Sequence, residues 1–169
     1  NEMALIEQIS SGFEQTRVEE YRAVDVISEA IDLGFFESDN YTLDISEDLM
    51  LHVDYKLFAT AIKNMIDNAI KYSEHGAITC RTFQKDGMVW VSIQDSGIGI
   101  SKHDMPRLFD KFFRVERKET EDISGTGLEL SIAKYIIDSY HGRIEVESAL
   151  GKGMTFSFGL PIYKGGDLP

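Results

Sequence analysis

Cysteine is nearly absent from this chain. Cys80 stands alone among 169 residues, so no internal disulfide can form and the composition suits a reducing compartment such as the cytoplasm. Long hydrophobic runs are missing too. No apolar stretch approaches the roughly 20 residues that span a bilayer, and no segment has the layout of a signal peptide. Basic residues are scarce: 17 Lys and Arg against 29 Asp and Glu leave a net charge of -12. That balance argues against a nucleic-acid-binding surface, which is normally basic. It leaves room for a small phosphate-bearing ligand, because a few local cations override the global field. Internal repeats and low-complexity tracts are lacking. What is present, 43% hydrophobic and 27% charged residues, describes an ordinary globular protein of one domain with room for an extra element at one end. The chain opens at Asn1 without an initiator methionine, as expected of a fragment.

Periodicity then places the elements. Residues 3–16 read as the end of a helix that breaks near Ser10–Gly12. Ala23–Leu33 reads as a helix with Val24, Val26, Ile27 and Ile31 on its apolar face, ended by Gly34. Tyr41–Ile45 and Leu49–Val53 alternate as short strands do. Tyr55–Tyr72 is the strongest helical pattern. At about 100° per residue Phe58, Ile62, Met65, Ile66, Ala69 and Ile70 share one broad face, opposite Asn64, Asp67, Asn68 and Lys71. Ala77–Gln84 and Met88–Gln94 form a hairpin across Asp86-Gly87, with Cys80 and Trp90 as core or sheet-face residues. Ser101–Phe113 reads as a short helical segment, Val115–Ser124 as a polar loop, and Leu128–Tyr140 as a helix ended by Gly142. Arg143–Ser148 and Met154–Leu160 close the chain as a hairpin across Gly151-Lys152-Gly153. This order implies an α+β fold, a two-layer α/β sandwich with a mixed sheet.

Four short elements carry the chemistry: Asn64-x-x-x-Asn68-x-x-Lys71-Tyr72, Asp95-x-Gly97-x-Gly99, Leu108-Phe109-Asp110-Lys111-Phe112-Phe113-Arg114, and Gly125-Thr126-Gly127-Leu128. Asn64, Asn68 and Lys71 lie at i, i+4 and i+7, so they point one way from one helix. A hard cation such as Mg²⁺ shares phosphate oxygens and keeps waters, so one amide oxygen from the protein is enough. A plain solvated face would look similar, although asparagine is a poor helix former there. A carboxylate fixed at a strand end, as Asp95 is, can accept a hydrogen bond from an exocyclic amine. The glycines after it let backbone approach a flat ring; the bland alternative is an exposed turn. Phe109, Phe112 and Phe113 recur at helical spacing, which suits a core anchor. Arg114 follows directly, with Arg117 and Lys118 near it, and arginines in such loops are commonly solvated. Gly125-Thr126-Gly127 opens a helix, where free N–H groups and the dipole favour phosphate.

In order and spacing the four elements resemble the catalytic ATP-binding domain of sensor histidine kinases, in the GHKL (Bergerat) superfamily. The resemblance covers roughly Ala23–Pro161. It implies a mixed sheet of about five strands packed on about three helices, with ATP and Mg²⁺ as ligands. It implies that Asn68 ligates Mg²⁺, Asn64 sits beside the phosphates, Lys71 contacts phosphate and Tyr72 packs on the nucleotide. Asp95 would read the adenine amino group, with Gly97, Gly99 and Ile100 as the first glycine box. Phe113 flanks the nucleotide lid and Arg114 reaches the γ-phosphate, which makes Arg114 and Lys71 the candidate catalytic residues. Ser124, Gly125, Thr126, Gly127 and Leu128 form the second glycine box. Here the chain departs from the pattern, because Glu129 replaces a small residue. Facing the phosphates it would repel them; facing solvent it would favour the helix dipole.

The resemblance also implies partners. A phosphoacceptor histidine belongs on a dimerisation domain, followed by a response regulator, in a homodimer without nucleic acid. None of His52, His75, His103 and His141 has the acceptor context. Residues 1–16 are therefore expected to be the tail of the dimerisation helix and its linker, 17–163 the catalytic domain and 164–169 a tail. The expected setting is a cytoplasmic domain of a protein attached to the membrane by upstream segments. A regulatory nucleotide-binding module without phosphotransfer is the alternative reading. ATPase classes of the superfamily fit less well, since they carry a catalytic glutamate in the helix where this chain has Asn64.

Overall fold

The computed structural model describes residues 18–34, 41–72, 77–97, 99, 101–107, 129–151 and 153–162. Strand β1 (Val18–Arg22) leads into helix α1 (Ala23–Gly34), followed by β2 (Tyr41–Asp44), β3 (Met50–Asp54) and α2 (Tyr55–Tyr72). Then come β4 (Ile78–Lys85), β5 (Met88–Gln94), a 3-10 turn at Met105–Arg107, α3 (Glu129–Ser139), β6 (Arg143–Ala149) and β7 (Gly153–Pro161). Five strands form a mixed sheet in the order β2-β4-β5-β7-β6, in which β2 pairs parallel to β4 and the other neighbours are antiparallel. Three helices cover one face, with α2 packed between α1 and α3.

Alternation decides which side chains meet the helices. Val89, Val91 and Ile93 of β5 and Phe156, Phe158 and Leu160 of β7 join the core with Ile27, Phe58, Ile66 and Ile136 from the helices. Phe156 and Phe158 are each 1% exposed, and burying such a side chain contributes about 1.5–3 kcal/mol. Cys80 faces the same core, where burial pushes its thiol up to about 12 and keeps it protonated. Trp90 points to the opposite face, opposite Gly159, and donates from Nε1 to the Lys85 carbonyl at 3.1 Å.

The hairpin β4–β5 turns where expected, with Asp86 at φ 55° and Gly87 at φ 74°, both values that an I′ turn requires. Two features differ from the sequence reading. The two strands after α1 go to different sheets: β2 joins the main sheet, whereas β3 pairs with β1 in a separate two-stranded ribbon. Gly142 is also not the left-handed residue that ends α3. His141 takes that conformation at φ 59°, with the Gly142 N–H donating to Ile137 O and the His141 N–H to Asp138 O in a Schellman arrangement. Gly142 serves close approach instead, because a Cβ there would stand 2.6 Å from the Gly159 carbonyl oxygen.

The junction of β3 and α2 is held twice. Asp54 caps the helix, its Oδ1 accepting from the Leu57 N–H at 3.1 Å. Its own N–H donates to the Tyr140 hydroxyl at 2.9 Å, tying the start of α2 to the end of α3. The expected helix at 3–16 and the loop Val115–Ser124 lie outside the described residues. So do residues 108–113 of the expected segment Ser101–Phe113, of which the described part is a turn and the short 3-10 segment.

Candidate nucleotide site

Strand β5 ends at Gln94, and Asp95 follows it directly. Asp95 is only 5% exposed. Its N–H donates to the Met154 carbonyl at 2.9 Å, and its Oδ1 accepts from the Gly97 N–H at 2.9 Å. Backbone contacts on both sides thus fix the carboxylate. Burial raises its pKa above the ordinary carboxylate value, and hydrogen bonding to the Gly97 and Met154 backbone offsets part of that rise. An ionised carboxylate held in so dry a place is a strong acceptor for an N–H group brought by a ligand. Gly99 has φ 68° and is buried, a backbone conformation that favours glycine.

Helix α2 lies against β5 and carries the asparagines. Its polar side is not uniformly solvated. Asn64 is 2% exposed, while Asp67 and Asn68 are half-buried. A buried asparagine is poorly explained as a solvated side chain and better explained as a positioned amide. The backbone of Lys71 and Tyr72 forms the last turn of the same helix. Ile100, Phe113, Arg114, Ser124, Gly125, Thr126, Gly127 and Leu128 lie outside the described residues, and Glu129 is the first residue of α3. Among the described residues no group of three or more His, Cys, Asp or Glu is placed to hold a metal ion. The amide oxygen of Asn68 nevertheless suits a cation that brings waters and phosphate oxygens as its other ligands.

Residues 53–164 match the family model described as histidine kinase-, DNA gyrase B-, and HSP90-like ATPase. The chain belongs to this ATPase family. The sensor-like histidine kinase SenX3 of Mycolicibacterium smegmatis is 35% identical over 155 residues, 87% of this chain and 40% of that protein. Sensor histidine kinase WalK of Bacillus subtilis is 37% identical over 117 residues, 68% of this chain and 19% of that protein. The catalytic domain of histidine kinase ThkA superposes with a TM-score of 0.70 at 27% identity, covering 86% of this chain and 96% of that one. The chain therefore spans two fifths or less of these two full-length relatives, but nearly all of a solved catalytic domain. It is an ATP-binding catalytic domain of the sensor histidine kinase class.

Sequence reasoning missed the part that β7 plays in this ATP-binding domain. Gly151-Lys152-Gly153 reads in sequence as a hairpin turn and nothing more. In the structure Gly153 packs against the Asp95 backbone and Met154 bonds to it. The only signal in the sequence was a second glycine where one suffices to turn a chain.

Proposed function

We propose that this domain positions Mg-ATP for transfer of the γ-phosphoryl group to a histidine on a dimerisation domain, and onward to a response-regulator aspartate. The buried, backbone-fixed carboxylate of Asp95 at a strand end carries the reading. Asp95 accepts from the adenine amino group, with Gly97, Gly99 and Ile100 against the ring and Tyr72 packed on the nucleotide. Asn64 and Lys71 line the phosphates, and Asn68 gives an amide oxygen to magnesium, which neutralises phosphate charge when bound. Phe113 flanks the nucleotide, and Arg114 after it meets the charge developing on the γ-phosphate. Ser124, Gly125, Thr126, Gly127 and Leu128 offer backbone N–H groups at the entry to α3. These groups mostly orient reactants and stabilise charge, as phosphoryl transfer demands.

In this proposal residues 1–16 belong to the preceding dimerisation helix and linker, 17–163 form the domain and 164–169 a tail. The close of β7 at Pro161 supports the limit at its C-terminal end. The intact protein works as a homodimer with its catalytic domain in the cytoplasm and its membrane attachment in upstream segments.

Calorimetric titration with ATP, with and without Mg²⁺, tests the site. Micromolar binding strengthened by Mg²⁺ is expected; no detectable binding would remove the reading. Supplying a complete dimerisation domain tests the reaction. Phosphohistidine should form there, and ATP binding without it would favour a regulatory module instead.

A further inference from the structure

We propose that Gly153 is a positioning residue of the nucleotide site, holding Asp95 where it reads the adenine amino group. The proposal rests on the adenine role given to Asp95 above.

Asp95 follows the last residue of β5 and extends the pairing with β7 by one residue, since Gln94 pairs with Thr155 and the Asp95 N–H donates to Met154 O. That contact needs β7 to begin very close to the Asp95–Ser96 peptide. A Cβ at position 153 would stand 2.8 Å from Ser96 Cα and 2.9 Å from the Asp95 carbonyl carbon, and closer still to the Asp95 carbonyl oxygen. All three atoms are backbone, so no rotamer change can relieve the collision. Any side chain at 153 must push Asp95 away from Met154, and the carboxylate moves with it.

The same hairpin supplies its own control. Gly151 has φ 76° and Gly153 has φ 85°, so both disfavour a side chain for conformational reasons. Yet a Cβ at Gly151 meets nothing within 4 Å. Alanine at either position brings comparable backbone strain, and only alanine at 153 disturbs Asp95.

The test compares Mg-ADP with Mg-IDP, whose base carries a carbonyl where adenine carries the amino group. Calorimetry is run on the unaltered chain, Gly151→Ala and Gly153→Ala, with thermal midpoints recorded for all three. The unaltered chain and Gly151→Ala should prefer ADP by roughly ten- to a hundredfold, the size of a hydrogen bond to a charged group. In Gly153→Ala the preference should collapse toward one. A Gly153→Ala chain that folds and keeps the preference overturns the proposal alone. An unaltered chain with no preference overturns the adenine role of Asp95, and the proposal falls with it. Should Gly153→Ala not fold, amide exchange of the unaltered chain decides. Saturating ADP should slow exchange of the Asp95 N–H at least tenfold and leave the Gly87 N–H unchanged, whereas an Asp95 amide indifferent to ADP overturns the proposal.

Discussion

Asp95 and the asparagines of α2 reach the site by different construction. Asp95 stands at the end of a central strand, and two backbone stretches, at 95–97 and 153–154, fix it. Asn64 and Asn68 hang from one helix a turn apart, and the helix sets their direction and depth. Asn64 is buried and Asn68 half-buried, so the amides step outward along α2. A strand end framed by backbone can hold one atom in one place, which suits recognition of a base. A helix face offers a graded row of donors and acceptors, which suits an extended, hydrated triphosphate with its cation.

Variants can break the comparison on either side. The largest effect is expected from Asn68→Ala, which should abolish Mg-dependent strengthening of ATP binding in a titration with and without Mg²⁺. Wild-type affinity in that variant would refute the ligand assignment. Asp95→Asn comes next. It should weaken ATP by roughly ten- to a hundredfold while leaving the thermal midpoint unchanged or higher, since it removes a buried carboxylate whose ionisation burial opposes. A large loss of midpoint would instead make Asp95 a structural residue.

A pH series sharpens the same point. Burial raises the Asp95 pKa, so the folded protein favours the protonated acid and gains stability as pH falls through that pKa. In its proposed role Asp95 accepts from the adenine amino group in the ionised form. ATP affinity should therefore weaken with acidification, starting above the ordinary carboxylate range, by up to about tenfold per pH unit, and Asp95→Asn should lack this dependence. The smallest effect is expected at the start of α3. Glu129→Gln should change ATP affinity by less than about threefold and cost about 0.3–1 kcal/mol through the helix dipole. A larger gain in affinity would set Glu129 against the phosphates.

Much of this was legible in the sequence, for reasons that differ by element. Helix α2 shows a long apolar stripe, and the β4–β5 turn announces itself through Asp86-Gly87; both depend on local pattern alone. Strand β1 was not legible. Val18–Arg22 exposes three of its five residues and pairs only in a two-stranded ribbon, so it carries no alternation to read. The depth of Asn64 was hidden for another reason. Helical periodicity gives an angle around an axis, and it cannot say how far a neighbouring strand covers the flank. The role of Gly153 depends on a contact with a residue 58 positions earlier (Asp95), which no local window contains.

The hydrogen bond between Asp54 and Tyr140 has a mechanical consequence. It tethers the chain just past the last turn of α3 to the first turn of α2, and the close fit of Gly142 against the Gly159 carbonyl clamps the same end to the sheet. With that end fixed, any tilt of α3 would pivot about Tyr140. From there to Glu129 the arm is about 16 Å at the helical rise. A tilt of a few degrees at the fulcrum therefore carries the glycine-box end through about an ångström, the scale on which a phosphate contact is made or lost.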